Sequence, residues 1–131
     1  MENRNLKPDP EKNRLSPEEI RELAAAAVRD IPERVKKWAA VMGITYGRIT
    51  IRNQKSRWAS CSSLGNLNFN CLMMLMPETI RDYLVVHELC HRKEMNHSKR
   101  FWAEVEAVIP DYRICEKWLK TNGESIMGKM W

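Results

Sequence analysis

No two cysteines in this sequence stand as Cys-x-x-Cys, although the chain has four, Cys61, Cys71, Cys90 and Cys115. A zinc site built on a cysteine pair therefore has nowhere to start, and only a mixed site of cysteine and histidine stays open. In a reducing compartment, isolated cysteines read as buried thiols rather than a disulfide frame. Long apolar runs are missing too. The longest, "CLMMLMP" at 71–77, falls far short of the roughly 20 residues that span a bilayer, so no membrane partner is expected. The opening stretch "MENRNLKPDPEKNRLSPEEI" has no apolar segment of the kind a signal peptide needs, and the expected location is cytoplasmic. Internal repeats and low-complexity tracts are also absent. Histidine is nearly so: the chain has three, none before residue 87 and none after residue 97.

What is present suits one soluble domain. The chain has 131 residues, 44% of them hydrophobic and 30% charged, enough for a core under a solvated surface. Its 22 Lys and Arg against 17 Asp and Glu give a formal charge of +5, too small to name a partner. The surplus gathers between Arg29 and Arg57, where Arg34, Lys36, Lys37, Arg48, Arg52 and Lys55 also lie, against only Asp30 and Glu33. Such a stretch is a solvated basic face or a polyanion site, nucleic acid included.

Residues 1–15 read as a polar tail, with the domain proper over 16–131. Ser16-Pro17-Glu18-Glu19 is a helix start, with Ser16 as cap, Pro17 in the first turn and Glu19 closing a capping box. Ile20, Leu23, Ala24, Ala27, Ile31, Val35, Trp38 and Met42 follow at helical spacing, and Gly43 ends the run. Pro32 is expected to kink or divide this helix. Strands are expected at 47–52, 56–61 and 66–73, the last antiparallel to its neighbour through the turn Ser62-Ser63-Leu64-Gly65. A buried helix is expected over 77–95, another over 98–108 and a last over 111–121, ending at Gly123. The fold class is α+β: an N-terminal helix, a small antiparallel sheet, a central helix and C-terminal helices.

The histidines lie in "VVHELCHRKEMNHSKRFW", residues 85–102. "HELCH" is H-E-x-x-H. On a helix, residues four apart are separated by about 400° of rotation and ~6 Å of rise, so His87 and His91 share a face and can bind one metal. Glu88, beside the first ligand, can act as general base on a water there. Catalytic zinc usually takes three protein ligands. His97 is the first candidate for the third, provided the chain turns after about Met95, where Asn96 tolerates a left-handed backbone. Glu104 and Glu106 on the next helix are the alternatives. The spacing H-x3-H-x5-H equals that of the metzincins, but position 94 is Glu where they have glycine. An apolar helix burying two histidines and a glutamate without partners is costly, and a bound cation removes that cost.

With "SRWASCSSLGNLNFN", the "HELCH" segment and the W-L-K-x-N-G ending at Gly123, the chain resembles the YgjP-like metallopeptidase domain family. The third histidine followed by S-x-x-F is also similar to SprT-like proteases. The resemblance implies a minimal zincin-like fold, one Zn²⁺ held by His87, His91 and His97, and catalysis by Glu88. It implies hydrolysis of peptide bonds in a peptide or protein. One branch of the family carries a UTP pyrophosphatase activity, so a nucleoside triphosphate is the alternative substrate. A basic nucleic-acid-associated module with structural zinc is a third reading. Ala59 stands where the family commonly has Gly, in "RWGSC". Arg57 is a candidate for binding a substrate anion. Asn66, Asn68 and Asn70 are candidates on an edge strand pairing with extended substrate. Tyr83, one turn before His87, touches either the site or only the core. Trp58, Cys90, Phe101 and Trp102 read as packing.

Overall fold

A computed structural model of the chain describes residues 14–129. Most of the polar tail expected over 1–15 lies outside the described residues, as do the last two positions. Leu15, counted to that tail, is held: its N–H donates to the Lys129 carbonyl at 2.8 Å, and its side chain packs on the core.

Helix α1, Pro17–Met42, begins with the expected capping box. The Ser16 N–H donates to Glu19 Oε1 at 2.8 Å, and the Glu19 N–H donates to Ser16 Oγ at 3.0 Å. Gly43, at φ 67°, closes the helix in the left-handed conformation that glycine adopts without strain. Pro32 does not divide it; the helix is continuous through that residue. Ala27, Ile31, Val35 and Ala39, spaced four apart, form its buried stripe.

Three short strands follow: β1, Ile49–Arg52; β2, Ala59–Cys61; and β3, Leu67–Asn70. They run in the order β1-β3-β2. β2 and β3 are antiparallel through the expected turn, with Ser60 opposite Asn68. β1 is parallel to β3, so the sheet is mixed, not purely antiparallel. This also corrects the expected edge. β3 is the central strand, bonded on both sides, and β2 is a free edge. β3 is also shorter than the alternation suggested. Asn70 caps a 3-10 turn, Cys71–Leu75, where the strand had been expected to run to residue 73.

Helix α2, Glu78–Cys90, is the central element, and Ile80, Tyr83, Leu84, Val85, Val86 and Leu89 are buried along it. It ends at residue 90, sooner than the expected 95, and the chain turns from His91 onward. Helix α3, Lys99–Val108, starts at the Ser98 cap, close to expectation. Helix α4, Tyr112–Met127, runs through Gly123, which had been read as its stop. A Cβ there would meet the Trp58 ring at 3.6 Å, an ordinary contact, so Gly123 lies where α4 packs against the segment leading into β2. All four cysteines are free. No helix among the described residues is long and apolar enough to cross a membrane.

Candidate metal centre

The early end of α2 is what assembles the site. His87 and His91 project from one face of the last helical turn and its cap. Backbone bonds from His91 to Glu88, Arg92 to Leu89 and Lys93 to Cys90, at 3.0–3.1 Å, tighten the exit into a turn. That turn brings His97 back over the helix end. One ligand atom from each of His87, His91 and His97 then lies within 4.8 Å of the other two. Arg92 secures the exit by donating from Nε to the Thr45 carbonyl at 3.0 Å and from Nη1 to the Ser63 carbonyl at 3.4 Å. Gly65, at φ 86°, leaves room for this guanidinium, which any side chain there would meet at under 3 Å.

Each ring is oriented from behind. His91 Nδ1 donates to the Glu94 carbonyl at 3.1 Å, and His87 Nδ1 lies 3.0 Å from Glu88 Oε2. Both arrangements leave Nε2 available to a metal, the other ring nitrogen being held, as is usual for ligating histidines. Phe101 stacks on His91, with centroids 4.4 Å apart, and Trp102 stacks on His97 at 6.0 Å. Both aromatics, read from sequence as packing, seat the rings directly. Desolvation first, then the positive charge His87 and His91 would carry, pushes the His97 pKa below the ordinary histidine range. A neutral imidazole at pH 7 is the form that binds metal. Three imidazoles converging within reach of one ion suit zinc, whose sites take nitrogen ligands and keep a position open for chemistry.

The other ligand candidates stay apart. Glu104 pairs with Lys93 at 3.3 Å, and neither it nor Glu106 joins the histidine cluster. Cys90 is fully buried, and burial pushes its thiol up to about 12.

The histidines form the floor of an open cleft of about 570 Å³, a size suited to a small ligand or a short stretch of chain. On the floor lie Tyr83, Leu84, His87, Glu88 and His91, with Met95 and His97 from the turn. One wall is the segment Arg57, Trp58, Ala59, Ser60 and Cys61. The other is a face of α4 carrying Glu116, Leu119 and Lys120. Glu88 is 5% exposed, buried at the base between the two. Burial, then the Glu88 charge, raises the Cys61 pKa, so this residue faces the cleft as a thiol.

Of the residues expected to bind substrate, the structure brings only Arg57 to the cleft. The asparagines are bound up within the fold. The Asn66 side-chain oxygen accepts from the Arg48 N–H at 2.8 Å. Asn68 accepts from Arg52 Nε at 2.8 Å and donates to Ser60 Oγ at 3.3 Å. Asn70 is fully buried; it donates to the Gln54 and Arg57 carbonyls at 2.8 and 3.0 Å and accepts from the Leu72 N–H at 3.0 Å. It fixes the segment that carries Arg57 into the wall instead of meeting substrate itself. The basic stretch is partly absorbed as well, Arg34 into an ion cluster and Arg52 onto Asn68. Sequence reasoning passed over Glu116 and took Leu119 and Lys120 only as part of the W-L-K-x-N-G motif, not as site residues. Their spacing on one helical face was the available signal, but nothing in the sequence said which neighbour that face meets.

The fold has relatives among solved structures. The metallopeptidase zymogen abylysin of Pyrococcus abyssi superposes with a TM-score of 0.64 at 26% identity, covering 70% of this chain and 93% of that one. The metallopeptidase zymogen jannalysin of Methanocaldococcus jannaschii gives 0.60 at 26% identity, covering 72% and 96%. No curated protein matches the chain in sequence. The model of the YgjP-like metallopeptidase domain matches residues 1–122, nearly the whole chain. With its α+β fold and three converging histidines, the chain belongs to the YgjP-like metallopeptidase domain family and is a metallohydrolase.

Proposed function

We propose that the protein is a zinc-dependent peptidase in which His87, His91 and His97 hold the metal and Glu88 is the general base. The observation that carries this reading is the convergence of three oriented imidazoles at the base of a cleft beside a buried carboxylate. Bound zinc supplies a Lewis acid that lowers the pKa of water from 15.7 to about 7 and polarises a carbonyl. Glu88 takes the proton as the water oxygen bonds to the carbonyl carbon. It returns that proton to the nitrogen as the C–N bond breaks.

The edge strand favours a peptide. Asn70 N–H donates to the Trp58 carbonyl, and Ser62 N–H to the Asn66 carbonyl. By the alternation of an antiparallel pair, Ala59 and Cys61 turn their own N–H and C=O toward the free side of β2. An extended segment can bond there and lie across the histidines. Abylysin and jannalysin, both metallopeptidase zymogens, point the same way.

A nucleoside triphosphate is the second reading. It rests on Arg57 and Lys120, two cations lining the cleft whose side chains make no bond among the described residues. A triphosphate needs such charges beside the bond being cut.

Glu88→Gln tests the proposal. It should keep zinc near the wild-type content and cut hydrolysis of an unfolded protein by roughly 10²–10⁴-fold. Loss of zinc, or unchanged turnover, would remove Glu88 from its role. UTP assayed in parallel decides the substrate: metal-dependent UTP hydrolysis that falls in Arg57→Ala, with no protein cleaved, would install the nucleotide reading. Zinc retained with no hydrolysis of either would leave a structural site.

A further inference from the structure

Tyr83 lies one turn before His87 on α2 and borders the same cleft. Its ring meets the His87 ring edge-on, with centroids 5.8 Å apart. The residue is 3% exposed, yet its hydroxyl has no hydrogen-bond partner among the described residues. Buried tyrosine hydroxyls usually find one, and leaving one unmade is destabilising. Phenylalanine would fill the same space without that cost. Asn70, comparably buried, has both its amide oxygen and its amide nitrogen bonded to main chain. Tyr83 lines the cleft, so a ligand bound there can supply the partner.

We propose that the Tyr83 hydroxyl donates a hydrogen bond to the substrate oxygen that becomes negative during hydrolysis. This rests on the hydrolase reading above. When water adds to the scissile carbonyl, its oxygen bonds to the carbon and the π pair moves onto the carbonyl oxygen. Glu88 holds the water proton. Tyr83 keeps its own proton throughout and stabilises the new charge through O–H···O⁻. The charge disappears when the carbonyl re-forms and the C–N bond breaks, with the Glu88 proton going to nitrogen. A donor already fixed against the His87 ring needs no reorganisation to serve this charge, and groups of this kind are worth most inside a cleft.

Tyr83→Phe removes the donor and keeps the ring. Two readouts follow it. In peptide hydrolysis, kcat should fall on the order of 10²-fold with KM little changed. In the cobalt-loaded protein, titrated with acetohydroxamate and followed by its visible spectrum, affinity should fall about tenfold at unchanged cobalt content. Tyr112→Phe is the control. Tyr112, on α4, is another buried tyrosine; it stacks on Trp102 and does not line this cleft, and both readouts should stay at wild type. Unchanged acetohydroxamate affinity in Tyr83→Phe would overturn the proposal. So would loss of cobalt, which would make Tyr83 a support for His87 only. If acetohydroxamate shows the Tyr83 dependence but no peptide is cleaved, the donor stands and the peptidase reading falls.

Discussion

Helix α2 carries a polar cluster at each end, and the two are built in opposite ways. At the N-terminal end, Arg34 of α1 reaches Asp30 at 2.9 Å, Glu78 at 3.0 Å and Asp82 at 2.7 Å. Arg81 adds a bond to Asp30 at 3.1 Å, and Trp38 Nε1 donates to Asp82 at 2.9 Å. Opposite charges meet, and no charged member lacks a counterpart. At the C-terminal end, three like groups are pressed together. Two of them have Nδ1 bonded, to the Glu94 carbonyl and to the Glu88 carboxylate, and one ligand atom from each of the three lies within 4.8 Å of the others. A cluster satisfied from within is a clamp and explains why α1 and α2 stay together. A cluster of like ligand groups beside a carboxylate has the donor set that a metal cation would complete.

The sharpest way to break this comparison is to remove one ligand group. His97→Ala should abolish stoichiometric zinc binding after dialysis and, with it, hydrolysis, while Glu104→Ala should leave both intact. Metal content measured on the two variants checks this. The reverse pattern would give the third position to the carboxylate and make His97 a surface residue.

Removing the centre of the clamp should do the opposite. Arg34→Met strips the partner from three carboxylates. The cost for a buried pair is about 3–5 kcal/mol, reduced here to roughly 2–3 because Glu78 and part of the others reach solvent. The thermal midpoint should drop by several degrees while zinc stoichiometry holds. Equal losses of zinc and stability would show that the two ends of α2 are not separable.

Asn70→Ala probes the support of the wall. It frees two partly buried carbonyls and one buried N–H, which should cost about 2 kcal/mol. Activity per folded molecule should also fall, since Arg57 and Trp58 hang from those bonds. Urea unfolding beside a zinc-loaded assay separates the two effects.

The smallest effect is in pH, and here the clusters should separate without any mutation. The Arg34 hydrogen bond, foremost, holds the Asp30 carboxyl below the usual carboxylate range. Its contribution is therefore complete above about pH 4, the unfolded value, and is lost only as pH falls further through the folded one. His97 has its pKa lowered by desolvation first and then by its neighbours. The unfolded chain takes that proton more readily, so the metal-free protein should begin to lose stability as pH falls past about 6.5. Unfolding midpoints across pH 4–8 should show this decline in wild type and a smaller one in His97→Ala. An identical decline in both would detach it from the histidine cluster.

These contrasts mark where the sequence was readable. Local chemistry was legible: the Ser16 capping box, the Gly43 stop, the Ser98 cap and the shared face of His87 and His91 follow from spacings of a few residues. Long-range partnership was not. Periodicity placed three strands but could not say that β3 lies between the other two, and so it read a central strand as an edge. Asn66, Asn68 and Asn70 alternate like surface residues, yet the bonds of Asn70 reach back 13 and 16 positions. Asp82 meets Arg34 across 48 positions, which no local pattern records. Gly123 looked like a helix stop, yet α4 runs through it to Met127, because the packing of the whole helix overrides the preference of one residue.

The central claim is that one end of α2 is a receptor for a single zinc ion, made of three imidazoles. X-ray absorption at the zinc edge of the loaded protein tests it most directly. The account predicts one zinc per chain, with scattering from three imidazole rings and one further oxygen. A sulfur neighbour would bring Cys61 into the site, two imidazoles with a carboxylate would displace His97, and failure to bind zinc would contradict the account outright.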